Sequence, residues 1–124
     1  MWTAVAAGLG ALGVVLGAFG AHALKGQLEP SKLEAWNIGV EYHLLHAVAL
    51  LALGLYQAVS GRNVTLPAAG FAAGVLLFSG SLYGLALSGP RWLGPVTPLG
   101  GVCFIFGWLA LFQLARKTPG SQSP

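Results

Sequence analysis

Four apolar stretches, separated by breaks rich in glycine, proline and charge, leave this chain few ways to fold. Residues 2–24 contain no Lys, Arg, Asp or Glu, and their length exceeds the ~20 residues that a helix needs to cross about 30 Å of hydrocarbon. Three more stretches follow, within residues 31–59, 66–87 and 98–115. Only 7% of the residues are charged and 56% are hydrophobic, too little charge for the surface of a water-soluble domain. A soluble core built from 124 residues would have no use for four segments of that length. The sequence therefore predicts an all-α integral membrane protein: a single domain over residues 1–117, with four transmembrane helices in an up-down-up-down bundle. Short connections favour antiparallel neighbours.

The breaks suggest where each helix begins and ends. Ala21-His22-Ala23 has the small-residue pattern of a signal-peptide cleavage site, but no Lys or Arg precedes the apolar run, so residues 2–24 read as a span. Beyond Pro30, Ser31-Lys32-Leu33-Glu34 has the spacing of a capping box and places the start of the second helix in water near Ser31. That helix is expected to enter the bilayer at about Trp36, whose amphipathic ring suits the interface, and to end before Ser60-Gly61-Arg62-Asn63. The third helix should end at Ser88-Gly89-Pro90. Thr97-Pro98 fits an N-cap with proline at the first helical position, opening a fourth helix that stops at Arg116-Lys117. The tail, 118–124, is expected to be disordered. Arg62, Arg116 and Lys117 on the side of the termini balance Lys25, Lys32 and Arg91 on the other, so the positive-inside rule expresses no preference for orientation.

Glycine supplies a packing mechanism. Lipid removes the hydrophobic drive between helices and leaves close backbone contact as a main source of attraction. Gly10, Gly13, Gly17 and Gly20 recur at spacings of three and four and form one stripe. Gly70 with Gly74, Gly80 with Gly84, and Gly100, Gly101 and Gly107 extend this Gly-rich packing to the later helices.

Against that apolar background, Glu41, Tyr42, His43 and His46 stand out, because ionisable groups inside a bilayer are costly and mark candidate sites. At 1.5 Å per residue, His43 lies about 10 Å below Trp36 and His46 about 15 Å below it. His22, Ser81, Tyr83 and Thr97 fall in the same leaflet. The other leaflet offers little beyond Gln57 and Gln113 near its interface. Helical rotation of about 100° per residue groups Gly39, Tyr42, His43 and His46 on one arc, and sets Glu41 beside Asn37 on another. His22 is placed to approach Glu41 or His43 as a carboxylate–imidazole pair.

Four segments resemble a known family: Gly17-Ala18-Phe19-Gly20-Ala21-His22-Ala23-Leu24, Glu41-Tyr42-His43-Leu44-Leu45-His46-Ala47, Phe78-Ser79-Gly80-Ser81-Leu82-Tyr83 and Gly94-Pro95-Val96-Thr97-Pro98-Leu99-Gly100-Gly101. In order and on four helices, they are similar to the domain of unknown function 423 family of small bacterial membrane proteins, related to eukaryotic transmembrane protein 256. The resemblance implies a four-span protein of the bacterial inner (plasma) membrane and carries no activity with it. It also implies that glutamine often stands where this chain has Glu41, which weakens any mechanism that needs a carboxylate there.

The polar cluster of His22, Asn37, Glu41, Tyr42, His43, His46, Ser81, Tyr83 and Thr97 admits several uses. One is hydrogen bonding that sets the register of the bundle. Another is a polar cavity for a small ligand or lipid headgroup, open towards the first and third loops. His22, His43 and His46 form the only candidate metal or haem set, on a weak His-x-x-His spacing, so no cofactor is expected. A proton relay in a transporter would use Glu41, Tyr42 and the histidines. Ser79, Ser81 and Cys103 stand in no recognisable nucleophile motif, which argues against an enzyme. Six scattered cations make no nucleic-acid patch. The sequence thus favours a non-enzymatic component that binds a ligand or lipid or assists membrane-protein assembly, with lipids, further copies of itself or other membrane proteins as partners.

Overall fold

Each apolar stretch forms one long helix, the arrangement that satisfies backbone polar groups internally where lipid offers them no partner. In a computed structural model, which describes residues 1–116, these are α1 (Trp2–Leu24), α2 (Pro30–Ser60), α3 (Thr65–Ala86) and α4 (Leu93–Arg116). Residue 117 and the tail expected to be disordered lie outside the described residues. All four helices are long and apolar enough to span a membrane. Consecutive helices run antiparallel, as the short connections require.

Two helix starts differ from expectation. α2 begins at Pro30 with Glu29 at the N-cap and no side-chain capping bond. Proline's fixed φ suits the first helical position and draws Ser31 into the helix, so the Ser31–Glu34 capping box does not form. α4 begins at Leu93 rather than Pro98, because the carbonyls of Pro90 and Arg91 already accept from the N–H groups of Leu93 (3.1 Å) and Gly94 (3.0 Å). Pro98 therefore sits inside the helix, where it cannot donate a backbone bond. Thr97 is not an N-cap; its hydroxyl turns to Ser81 and the Leu93 carbonyl.

The helices are arranged as an open array. α1 packs mainly on α2, α2 on α3 and α3 on α4. The central pair is accordingly the more buried: 44% of the most apolar window of α2 lies inside the protein against 17% for α1 and α4. On α1, Gly13, Gly17 and Gly20 face Leu44, Val40 and Trp36 of α2, whereas Gly10 meets open space. Between α3 and α4 the backbones approach closely at Gly70 and Gly107, and Gly100 lies against the backbone of Phe78 with no room for a Cβ. Gly80, expected in this seam, faces open space.

α3 is not a uniform α-helix. Val75–Ser79 form a π turn, a widening found frequently at functional positions. It lies where α3 meets both Gly39 of α2 and Gly100 of α4. A second π turn, Gly20–Leu24, ends α1. At the end of α2, Gly61 adopts φ +74° and donates its N–H to the Gln57 carbonyl, a left-handed terminus that glycine reaches without strain.

Candidate functional site

Of the polar residues expected to form one layer, His43, His46, Ser81, Tyr83 and Thr97 bond across helix seams. His43, 2% exposed, projects from α2 between α1 and α3. Its Nε2 lies 2.7 Å from the Leu9 carbonyl, which can only accept, so this nitrogen carries the proton. Its Nδ1 then accepts from the Tyr83 hydroxyl at 2.9 Å. Local sequence makes this reach feasible: a Cβ on Gly13 would crowd the His43 ring, and one on Gly39 would meet the Tyr83 ring at 2.9 Å.

His46, also 2% exposed, uses the opposite tautomer. The Trp108 indole, a donor only, gives its N–H to Nε2 of His46 at 3.0 Å. Nδ1–H of His46 donates to the Tyr42 carbonyl at 2.8 Å. The His46 ring stacks on Phe104 with centroids 3.7 Å apart and touches Phe71. Both imidazoles are thus fully bonded in the neutral form.

Further bonds complete the layer. Ser79, fully buried, donates to the Gly39 carbonyl at 2.7 Å. Ser81 bonds Thr97 across the α3/α4 seam and also reaches the Phe78 carbonyl. Trp36 is 2% exposed, not a headgroup anchor: its indole donates to the Leu16 carbonyl at 2.9 Å and its ring packs on Phe19 and Tyr83. Glycine at position 20 thins α1 there enough to admit the indole. Among the described residues, no buried side-chain nitrogen or oxygen lacks a partner.

Three of the expected site residues lie elsewhere. His22, Asn37 and Glu41 are exposed, on the outer surface of the α1/α2 pair, and His22 forms no pair with Glu41 or His43. Their separation follows from rotation: the helix turn that buries His43 sends Glu41 outward. Tyr42 is 40% exposed and stacks its ring against His46, Phe78 and Phe104. The set His22, His43 and His46 is not assembled, and among the described residues no group of three or more His, Cys, Asp or Glu could hold a metal.

Ser79, Trp36 and Trp108 are the contributors that motif spacing did not single out as site residues. Trp108 could have been suspected. Tryptophan favours the interface, and one placed two turns inside a span needs an acceptor for its indole N–H.

Two cavities among the described residues lie in the other half of the molecule, beside an apolar cluster of Ala6, Leu50, Leu53, Val64, Ala68 and Phe71. Where α2 and α4 diverge below the His46–Trp108 contact, they leave a groove of about 450 Å³ between Ala49, Ala52, Leu53 and Tyr56 on one wall and Trp108, Leu111, Leu114 and Ala115 on the other. Phe71 of α3 forms its floor. A smaller pocket of about 320 Å³ lies at the end of the bundle, among Arg62, Asn63, Leu66, Pro67, Ala110, Gln113 and Leu114.

Comparison with known proteins gives the chain relatives of its own size. Residues 16–101 match the family described as "Protein of unknown function (DUF423)". The chain is 41% identical to UPF0382 membrane protein SERP0230 of Staphylococcus epidermidis, covering 90% of this chain and 95% of the relative. It is 44% identical to UPF0382 membrane protein YwdK of Bacillus subtilis over 86% of this chain and 88% of the relative, and 40% identical to a UPF0382 membrane protein of Haemophilus influenzae over 79% of each. No solved structure matches. With four membrane-spanning helices and bacterial membrane proteins of unknown function as its relatives, this multi-pass membrane protein belongs to the DUF423 family.

Proposed function

We propose that this chain is a non-enzymatic, lipid-binding component of the membrane, clasped shut by hydrogen bonds in one half and open in the other to receive an acyl chain between α2 and α4. The observation that carries this is the apolar groove between Ala49, Ala52 and Tyr56 of α2 and Trp108, Leu111 and Leu114 of α4. Small residues such as Ala49 and Ala52 would ordinarily let two helices close on each other. Here, among the described residues, α2 and α4 meet only at the head of the groove, where His46 bonds Trp108 and packs with Phe104 and Phe71, and below that contact the slot stays open. An apolar slot in a membrane fills with the hydrocarbon around it, and the dispersion contacts of its walls are then satisfied.

In this role the buried polar residues keep the frame rigid. Interhelical hydrogen bonds of this kind contribute about 0.6 kcal/mol each on average. A proton relay or a histidine-ligated metal gains no support from the geometry, because His43 and His46 commit both ring nitrogens to separate partners.

Photocrosslinking tests the assignment. A phospholipid with a diazirine midway along its acyl chain, reconstituted with the protein in nanodiscs, should label residues 49–56 and 108–115 above the outer face of α1. Ala52→Trp, which fills the groove, should remove that excess and leave α1 labelling unchanged. Uniform labelling of all outward faces, or an excess that survives Ala52→Trp, would overturn the assignment. So would protein–protein crosslinks through the same residues in place of lipid adducts, which would make the occupant a partner helix.

A further inference from the structure

We infer that the lipid taken by the groove is an anionic phospholipid, its phosphate received by Arg62, Asn63 and Gln113 at the groove's lower end. This rests on the acyl-chain assignment above and adds the headgroup to it. The polar pocket and the apolar groove meet at Leu114, which lines both. The groove runs from Trp108 to Ala115, about 10 Å along the axis of α4, and ends where the last turn of α2 and the first turn of α3 reach the membrane surface. On the α2 and α3 sides the cup (Arg62, Asn63, Leu66, Pro67) lies nearer the helix ends than the groove (Ala49–Tyr56, Phe71), and on α4 the two share the same turns on either side of Leu114. A polar cup beside an apolar slot has the amphipathic layout of a phospholipid.

The cup is built from donors. The Arg62 guanidinium is half-buried and makes no hydrogen bond or ion pair among the described residues. Its backbone is held in place, since Arg62 N–H donates to Ser60 Oγ at 3.2 Å and Gly61 closes α2. Asn63 accepts the Thr65 N–H on Oδ1 at 2.9 Å, which leaves its amide NH₂ free to donate. Gln113 adds a second amide from α4. Leu66 and Pro67 belong to the first turn of α3, whose positive dipole end also favours an anion.

Charge distribution supports the same occupant. All three acidic side chains of the protein, Glu29, Glu34 and Glu41, belong to the opposite half of the bundle, around the start of α2. No carboxylate side chain lines the cup. An uncompensated arginine at the membrane surface, with a planar fork of donors that matches phosphate geometry, is complementary to an anionic headgroup.

The test uses the full chain in detergent, with native mass spectrometry to count bound lipids, and phosphatidylglycerol and phosphatidylcholine of identical acyl chains as probes. The wild type should retain phosphatidylglycerol over phosphatidylcholine by roughly fivefold, the contribution of one arginine near an anionic membrane surface. Arg62→Gln should bring that ratio towards one while phosphatidylcholine still binds, and Arg62→Lys should keep part of the preference. Millimolar inorganic phosphate should displace neither lipid. A wild-type ratio of one, a ratio unchanged by Arg62→Gln, or displacement by free phosphate would overturn the headgroup site and leave the groove standing. Loss of all lipid binding, or binding that is indifferent to Ala52→Trp, would bring down the groove as well.

Discussion

Trp108 of α4 donates its indole N–H to Nε2 of His46 on α2 across 3.0 Å, tying together two helices that otherwise diverge. His46 in turn donates to the Tyr42 carbonyl, so a single imidazole closes a chain from α4 to the backbone of α2. Trp108→Phe keeps an aromatic ring but removes the donor. It should lower stability by roughly 0.6–1.7 kcal/mol, the range for interhelical hydrogen bonds in membranes. In a His46→Leu background the same change should cost markedly less. Reversible unfolding in mixed micelles, run as a double-mutant cycle, measures the coupling, and additive effects would show that the bond contributes nothing.

Tyr83 and His43 form the corresponding link between α3 and α2. Tyr83→Phe strips the donor from Nδ1 of His43 and should cost about 1 kcal/mol. His43→Ala should cost more, because it also frees the Leu9 carbonyl and leaves a void between three helices. The two variants compared in the same micelle assay, with Tyr83→Phe the milder, check the ordering.

Two glycines on facing helices should respond oppositely to one methyl group. A Cβ at Gly100 collides with the backbone of Phe78, which cannot swing aside, so Gly100→Ala should destabilise by about 1–3 kcal/mol or prevent folding. Gly80→Ala meets open space and should be neutral or stabilising by up to about 1 kcal/mol through helix propensity. Thermal melts of both variants by circular dichroism decide the matter. A stable Gly100→Ala protein would refute the seam.

Added zinc or iron salts should leave the melting curve and the visible spectrum unchanged. A metal would have to displace Trp108 from His46, or Leu9 and Tyr83 from His43, and among the described residues no group of three ligands is assembled to compensate. Elemental analysis after dialysis, showing substoichiometric metal, is the expected outcome.

Glu41 lies on the outer stripe of α2 and is exposed, with no side-chain hydrogen bond among the described residues. Glu41→Gln should shift stability by less than about 0.5 kcal/mol. A larger destabilisation in the micelle assay would mean that the carboxylate has a structural partner.

The four spans and their antiparallel order were legible in the sequence, because helix periodicity and membrane thickness act on every residue alike. Gly13, Gly17 and Gly20 fell on the α1 face that packs on α2, as their spacing predicts. The pairing of the polar groups was not legible. His43 reaches the Leu9 carbonyl and His46 the Trp108 indole, contacts set by which helices touch, and local spacing says nothing about that. For the same reason the cavity anticipated around the histidines is replaced by side chains bonded to each other, while a groove opens where the sequence looked featureless. Helix starts failed for a local reason: Pro30 and the Pro90–Arg91 turn nucleate earlier than the cap motifs beside them.

Among the described residues, the side-chain hydrogen bonds that link one helix to another cluster in one half, which gives the bundle a mechanical gradient. Around the groove, Ala49, Ala52, Leu53 and Tyr56 of α2 and Leu111 and Leu114 of α4 face each other across largely apolar walls. Their spacing is therefore compliant: a thinner or more laterally compressed bilayer would press the open half together, while the clasped half keeps its width, as the jaws of a clip move about a fixed spring.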